Sequence, residues 1–291
     1  MKGRWLLTGV SGQVGGSIAE LSNAFGYDWL YPTRTDMDLS EPSSMISALS
    51  AYRPDGVINC AAYTAVDKAE SEPDLAYAVN AMAPKFLAEE CAKFGIPIIH
   101  ISTDYVFDGR KSEPYVEDDP VGPLGVYGAS KERGETAIRS SGAQHAIIRT
   151  AWLLNSTGSN FLTTMLRLGE ERDELRIVSD QLGCPTSVKD LASALILIAD
   201  RLANKSGTWH FVNSGSATWY ELAAHIFRQV GQHNGHVPML TPISTSEYPT
   251  AAQRPANSML STEKLALDFG IQPRNWRDAV DGILSQILQP V

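Results

Sequence analysis

Tyr127 and Lys131 stand four residues apart in the run Tyr127-Gly-Ala-Ser-Lys131, a pairing able to move a proton. On a helix this spacing puts the phenol and the ammonium on one face. A neighbouring cation lowers a phenol from its ordinary pKa of about 10, which would let Tyr127 protonate a carbonyl oxygen near neutral pH. Alone, a Tyr-X-X-X-Lys run is usually an accidental surface pair. Its setting argues for more, because Ser102-Thr103 closes the apolar run Ile96 to Ser102 shortly before it. Hydroxyls at the carboxyl edge of a parallel sheet stand where ligands bind.

A second group of residues belongs to phosphate chemistry. Thr8-Gly9-X-X-Gly12-X-X-Gly15 follows the apolar run Arg4 to Thr8 and opens the helical stretch Gly16 to Phe25. Such glycines admit a pyrophosphate close to the backbone, and the helix N-terminus offers N–H donors and a favourable dipole. The bland alternative is a tight turn and nothing else. Strand before and helix after make the dinucleotide reading the better one.

The elements that must carry these residues alternate. Apolar runs recur at Asp28 to Tyr31, Gly56 to Ala62, Ile96 to Ser102 and His145 to Leu154, with helix-like segments Ser43 to Tyr52 and Asn80 to Phe94 between. This is the pattern of an α/β, Rossmann-type doubly wound parallel sheet. Pro84 predicts a kink or a late helix start. Beyond Leu154 the rhythm changes: Phe161 to Glu171 and Val188 to Leu202 read as helices, Arg176 to Val178 and Thr208 to Asn213 as strands, the last of them returning to the main sheet. The tail contains Pro238, Pro242, Pro249, Pro255 and Pro273 and ends in a helix near Trp276 to Leu288. We therefore expect a dinucleotide-binding domain over 1–154, with about 185–212 returning to it. A smaller, discontinuous C-terminal substrate domain would comprise 155–184 and 213–291.

Composition narrows the function classes. The 291 residues carry a formal net charge of -9, which opposes broad nucleic-acid binding. Cys60, Cys91 and Cys184 are scattered and odd in number, so they read as reduced core thiols and form neither a disulfide framework nor a zinc site. No apolar run is long enough to span a bilayer and the N-terminus enters a strand pattern at once, so a cytoplasmic protein with no membrane partner is expected. His233-Asn-Gly-His236 looks metal-like in passing, but it lies in a polar turn.

Together these residues resemble the extended branch of the short-chain dehydrogenase/reductase superfamily. The resemblance implies hydride transfer from a nicotinamide to a carbonyl carbon, with Tyr127 as proton donor, Lys131 on the nicotinamide ribose and Thr103 hydrogen-bonded to the reacting oxygen. Asn59-Cys-Ala-Ala62 matches a strand that passes beneath the cofactor, and Asn80 the helix after it. Further runs resemble, more narrowly, the dTDP-4-dehydrorhamnose reductase family: Gly12-Gln-Val-Gly15, Ala62-Tyr-Thr-Ala-Val-Asp-Lys-Ala-Glu70, Ser102-Thr-Asp-Tyr-Val-Phe107, Arg149-Thr-Ala-Trp152, Asp180-Gln-X-Gly-X-Pro-Thr186 and Arg254-Pro-X-Asn-Ser258. By that resemblance Gly9, Gly12, Gln13, Val14, Gly15, Arg34, Asp38, Leu39, Ala62, Tyr63, Thr64, Asn80, Tyr127 and Lys131 would hold the cofactor. Thr103, Asp104 and Trp152 would contact the sugar of a nucleotide-diphosphate sugar, with Asn160 and Arg254 toward its diphosphate. Trp152 could instead be core packing, and Arg254 a solvated cation.

Several readings stay open at this stage. The leading one is reduction of the 4-keto group of dTDP-4-dehydro-6-deoxy-L-mannose to give dTDP-L-rhamnose. Others are reduction of another nucleotide-linked keto-sugar, a nucleotide-sugar epimerase, and a catalytically silent NADP-binding regulatory subunit. The intact Thr103, Tyr127 and Lys131 speak against silence. The second strand ends in Thr33-Arg34 where a carboxylate would accept the ribose 2′-OH, so NADPH is expected over NADH, which is not excluded. Asp36 and Asp38 complicate that reading. Some members of the resembled family place a Glu two residues after Gly-Gln-Val-Gly, at a magnesium site between subunits. Ser17 stands there in this chain, so no metal is expected and a homodimer is left open without that contact.

Overall fold

In the computed structural model, which describes residues 2–21 and 26–288, six parallel strands form one sheet in the order β10-β5-β4-β3-β1-β2. They are β1 (Lys2–Thr8), β2 (Tyr27–Leu30), β3 (Gly56–Asn59), β4 (Ile98–Thr103), β5 (His145–Thr150) and β10 (Gly207–His210). The central strands read as continuous apolar runs because both of their faces are covered. On one face α1 (Gln13–Leu21) and α8 (Val188–Arg201) bury Val14, Ile18, Leu191, Leu195 and Ile198. On the other, α2 (Pro42–Tyr52), α5 (Ala83–Phe94) and α6 (Val126–Ser140) bury Met45, Leu49, Leu87, Cys91 and Ile138. The doubly wound expectation holds, and the strand predicted over 208–213 does return to the sheet, pairing with β5 from Gly207↔Ala146 to His210↔Arg149. Residues 22–25 of the first predicted helix lie outside the described residues.

Strand order reverses between β1 and β3, which opens a crevice at their carboxyl ends. Pro84 is accommodated there by a π-helical turn over Ala78–Met82, after which α5 starts at Ala83. A widened turn absorbs the missing N–H of a proline without breaking the helix. The same turn presents Asn80 to α6. Gly134 permits the approach, since a Cβ there would lie 2.1 Å from the Asn80 carbonyl oxygen.

The remaining chain builds a second, smaller core. β7 (Glu174–Val178) pairs in parallel with β12 (Met239–Ile243), and α7 (Phe161–Glu171), α9 (Trp219–Gln232) and α11 (Trp276–Leu288) pack around Leu162, Leu175, Phe227 and Trp276. One piece of 213–291 departs from the division drawn from sequence. α10 (Glu263–Phe269) packs Leu265 and Phe269 into the core of the nucleotide-binding half, and Trp209 Nε1 donates to Asp268 at 2.8 Å. No helix among the described residues is long and apolar enough to cross a membrane.

A buried ion pair ties the sheet to α6. Glu135, fully buried, accepts from Arg149 Nε at 2.9 Å and Nη2 at 2.8 Å, and from Ser102 Oγ at 2.5 Å. Burial works to raise the Glu135 carboxyl, but the Arg149 bonds and charge outweigh it and hold the group below the usual carboxylate range. Glu135 also accepts from Arg139 Nη1 at 3.0 Å, so Arg149→Met removes its buried cation and leaves a partly exposed one, and is expected to cost up to about 3 kcal/mol. The double variant Glu135→Leu/Arg149→Met should cost less than Arg149→Met alone. Urea unfolding midpoints of the three proteins check this, and a double variant less stable than Arg149→Met would contradict it.

Candidate active site

The crevice at the switch point is a cleft of about 580 Å³. Its floor comes from the strand ends: Gly9 and Gly12 after β1, Cys60 to Ala62 after β3, Thr103 and Asp104 after β4, and Thr150 to Trp152 after β5. Tyr127 and Lys131 enter from α6, Gln13 and Val14 from α1, and Thr64 and Ser159 from loops. Gly9 shows why a glycine is needed in the turn. Its φ is +71, and a Cβ would lie 2.7 Å from the Ala61 nitrogen. The turn therefore presses on the strand-three loop and keeps the first turn of α1 open to the cleft, a fitting cradle for a pyrophosphate.

Polar ties fix α6. Its first amide, Val126 N, donates to Glu70 Oε1 at 2.8 Å. Asn80 clamps the Tyr63 backbone, accepting from its N–H at 2.8 Å and donating to its carbonyl at 3.0 Å, and also donates to Ser130 Oγ at 3.0 Å. Asn80 and Tyr63 thus act as braces and do not line the cleft. Lys131 is buried, and its Nζ donates to the Ile101 carbonyl at 2.6 Å and lies 3.3 Å from His100 Nε2. Burial pulls the ammonium down to about 8, while the nearby Glu135 charge and then Cys60 work upward.

One expectation is corrected. Lys131 does not lower the Tyr127 phenol; the ammonium is engaged by Ile101 and His100, and burial pushes the phenol up to about 12. The hydrogen bond from Thr103 acts downward and the Asp104 charge upward. Tyr127 is thereby held protonated at neutral pH. Thr103 Oγ1 donates to Asp104 Oδ1 at 3.0 Å and accepts from Tyr105 N at 3.2 Å, and the Tyr105 ring meets that of Tyr127 edge-on at 5.7 Å.

Three buried polar atoms lining this cleft have no partner: Gln13 Oε1, Asp104 Oδ2 and Thr150 Oγ1. Such atoms are costly unless a ligand satisfies them. Thr150 escaped the sequence reading, because a threonine closing an apolar strand carries no signal of its own. His100 escaped for a similar reason, as one polar residue within Ile-Ile-His-Ile. Cys60, expected in the core, is only half-buried in the cleft wall; desolvation pushes its thiol up to about 12.

Trp152 is held at φ +45 and stacks face to face on Trp219 at 3.4 Å between ring centroids. Phe161 leans on Trp219 at 4.7 Å between ring centroids, and with Arg254, Arg176 and Gln181 these two rings line a second cavity of about 600 Å³. Arg254 is paired there with Asp67, Nη2 to Oδ2 at 2.8 Å. Asn160 reaches neither cavity: it caps α7, accepting from Thr163 N at 3.2 Å and donating to the Asn155 carbonyl at 3.0 Å. Its neighbour Ser159 lines the cleft instead, where its carbonyl accepts from Gln13 Nε2 at 3.3 Å. Gly15 packs under the turn. Arg34 is 88% exposed, with Asp38 4.0 Å away, and Leu39 packs partly buried against the core beneath. Among the described residues no group of three or more His, Cys, Asp or Glu side chains could hold a metal. His236 bonds the Gly169 carbonyl and His233 the Gln229 carbonyl.

Burial raises the Asp104 carboxyl to about 6, with bonds from Ser258 and Thr103 opposing it. The folded state therefore holds a proton that the unfolded chain releases near pH 4, so the stability this group contributes falls as pH rises through that window. The loss is up to about 3 kcal/mol. Asp104→Asn should accordingly be more stable than wild type above about pH 6 and lose that advantage by pH 4. Thermal unfolding of both proteins across that range tests the point, and a constant difference would refute it.

The chain matches the family model described as "RmlD substrate binding domain" over residues 3–289. A dTDP-4-dehydrorhamnose reductase of Sinorhizobium fredii is 42% identical over 290 residues, covering 98% of each protein. The crystal structure of a dTDP-4-dehydrorhamnose reductase from Clostridium acetobutylicum superposes with a TM-score of 0.93 at 37% identity, over 98% of this chain and 100% of that one. That of the Bacillus anthracis enzyme in complex with NADP gives 0.91 at 36% identity, over 98% and 99%.

Proposed function

Because the chain belongs to the dTDP-4-dehydrorhamnose reductase family, we propose that it reduces the 4-keto group of dTDP-4-dehydro-6-deoxy-L-mannose to dTDP-L-rhamnose, with a nicotinamide dinucleotide as reductant. The observation that carries this reading is one cleft shared by the glycine turn, the protonated phenol of Tyr127, the Thr103 hydroxyl and the orphaned Asp104 Oδ2. The dinucleotide, when bound along Gly9, Gly12, Gln13, Val14, Ala62 and Thr64, supplies the hydride. Tyr127 holds the proton that the sugar oxygen takes up, and Thr103 orients that oxygen by a hydrogen bond. Lys131 offers its charge toward the ribose side of the same wall. Asp104 Oδ2 and Thr150 Oγ1 await hydroxyls of the hexose or an amide of the cofactor, and Trp152 gives the ring a flat wall. Arg254 and Arg176, in the second cavity, suit the nucleotide diphosphate.

NADPH oxidation followed with the dTDP-linked 4-keto sugar, in EDTA-containing buffer, tests this. Turnover without added metal is expected, since Ser17 stands where some members of the family supply a magnesium-binding carboxylate. Tyr127→Phe should lower kcat by roughly 100- to 10,000-fold with cofactor affinity nearly unchanged. Retention of more than about half the wild-type kcat by Tyr127→Phe would overturn its role as proton donor, and a strict need for magnesium would overturn the metal-free expectation.

NADPH is proposed as the preferred cofactor. Arg34 projects into solvent just past β2, where a 2′-phosphate would sit, and no carboxylate replaces it at the strand end. Asp36 is turned away, accepting from Thr33 N at 2.9 Å and Thr33 Oγ1 at 2.7 Å. Arg34→Ala should therefore reduce the NADPH-to-NADH ratio of kcat/KM. An unchanged ratio, or wild-type use of NADH at least as efficient as NADPH, defeats the proposal.

A further inference from the structure

The buried surroundings of Lys131 extend beyond the cleft. Thr8 Oγ1 on β1 lies 2.6 Å from Asn59 Oδ1 on β3, Asn59 Nδ2 lies 3.0 Å from His100 Nδ1 on β4, and His100 Nε2 lies 3.3 Å from Lys131 Nζ on α6. These four side chains are 4%, 2%, 0% and 2% exposed, so water cannot substitute for any partner.

Counting protons exposes a conflict in this chain. If the Asn59 NH2 donates to His100 Nδ1, the ring proton sits on Nε2, pointing at the ammonium. Two donors would then face each other. An ammonium has three protons and no lone pair, so a neighbouring imidazole nitrogen must be bare to accept one. Turning the Asn59 amide over removes that clash: Nδ2 donates to Thr8 Oγ1, which also accepts from Ala61 N at 3.4 Å, Oδ1 accepts from His100 Nδ1–H, and Nε2 accepts from Lys131. The two amide ends are indistinguishable by shape, so the network decides between them.

We propose that His100 is a positioning residue for the reductase reaction, a neutral imidazole carrying its proton on Nδ1 and accepting on Nε2 one proton of the Lys131 ammonium. The Ile101 carbonyl takes a second, which leaves one N–H directed at the cleft for the cofactor ribose. The donor-only ammonium sets the tautomer and Asn59 Oδ1 holds it by accepting the Nδ1 proton, so β3 and, through Thr8, the strand that leads into the glycine turn brace the lysine's partner. The neutral state is supported by burial, and next by the Lys131 charge, both of which hold His100 well below its ordinary range. The other ionisable groups facing Lys131 are Cys60 after β3 and Glu135 on α6.

This inference rests on the reductase reading for its kinetic consequences, so wild-type turnover is the control that fails if that reading fails. His100→Met removes the acceptor at similar volume, whereas His100→Gln retains an oxygen able to take the Lys131 proton. His100→Met is expected to raise KM for NADPH by about tenfold or more. It should also move the alkaline limb of the kcat/KM profile to lower pH, because an ammonium that has lost an acceptor gives up its proton more readily. His100→Gln should restore both. Equal behaviour of the two variants, or a wild-type profile for His100→Met, overturns the proposal. Independently of any variant or turnover, ¹⁵N spectra of the wild-type enzyme, with His100 assigned through its backbone connectivity, should show a protonated Nδ1 and a bare Nε2. A proton on Nε2 would refute it.

Discussion

Everything at the centre of this molecule follows from putting the ammonium of Lys131 where water cannot reach it. An isolated buried cation is prohibitively costly, so acceptors must be supplied by the protein and held in place. β4 supplies them, through the Ile101 carbonyl and His100. That choice obliges α6 to lie against the carboxyl half of β4, and the polar ties around it enforce the position. Ser102 and Arg149 converge on Glu135 one turn beyond the lysine, Asn80 holds Ser130 just before it, and Glu70 holds the first amide of the helix. Tyr127, one turn earlier than Lys131, is then set opposite Thr103 with no freedom left to choose.

The second, smaller core depends on this arrangement from the other side. Gln13 in the first turn of α1 bonds the Ser159 carbonyl, Asp67 bonds Arg254 and the Ala252 N–H, and Thr186 N donates to the Trp152 carbonyl. The Gln13 and Asp67 contacts join the carboxyl edge of the sheet to segments of the C-terminal region, and the Thr186 contact ties the Trp152 segment to the lead into α8. The run Ala62 to Glu70 thereby does two structural jobs, since Asp67 reaches the far region and Glu70 caps α6. Gly183 is part of the same fit: a Cβ there would lie 2.4 Å from the Trp152 ring.

Much of this was legible in the sequence because local patterns determined it. Apolar runs too continuous for a half-solvated sheet gave the buried parallel strands, and the Gly9 to Gly15 spacing gave the turn that only a strand followed by a helix can make. The i,i+4 spacing of Tyr127 and Lys131 placed them on one face of a helix correctly. It could not give the direction of the phenol shift, because that depends on burial and on what else the ammonium touches. His100, Asn59 and Thr8 lie on three different strands, and nothing in a linear pattern announces that they meet. Asn160 went the other way: it was read as a ligand group, and local backbone demand made it a helix cap. Arg254 was read as a diphosphate group or a free cation, and its tie to Asp67, 187 residues away, is invisible without the fold.

The cleft also concentrates features that folding alone would avoid. Asp104 keeps a buried carboxylate oxygen without a donor, Thr150 a hydroxyl without a partner, and Trp152 a left-handed backbone that a bulky residue rarely adopts. Elsewhere the same chain satisfies its buried carboxylate at Glu135 several times over. The costs are offset by the large sheet core and by the Glu135–Arg149 pair, and they are relieved when a ligand brings the missing donors and acceptors. A polyhydroxylated sugar seated in the cleft as proposed would do so at several points at once. An analogue lacking one hydroxyl would leave a buried oxygen stranded, and discrimination among sugars then comes from the polar atoms the fold left unpaired more than from the shape of the wall.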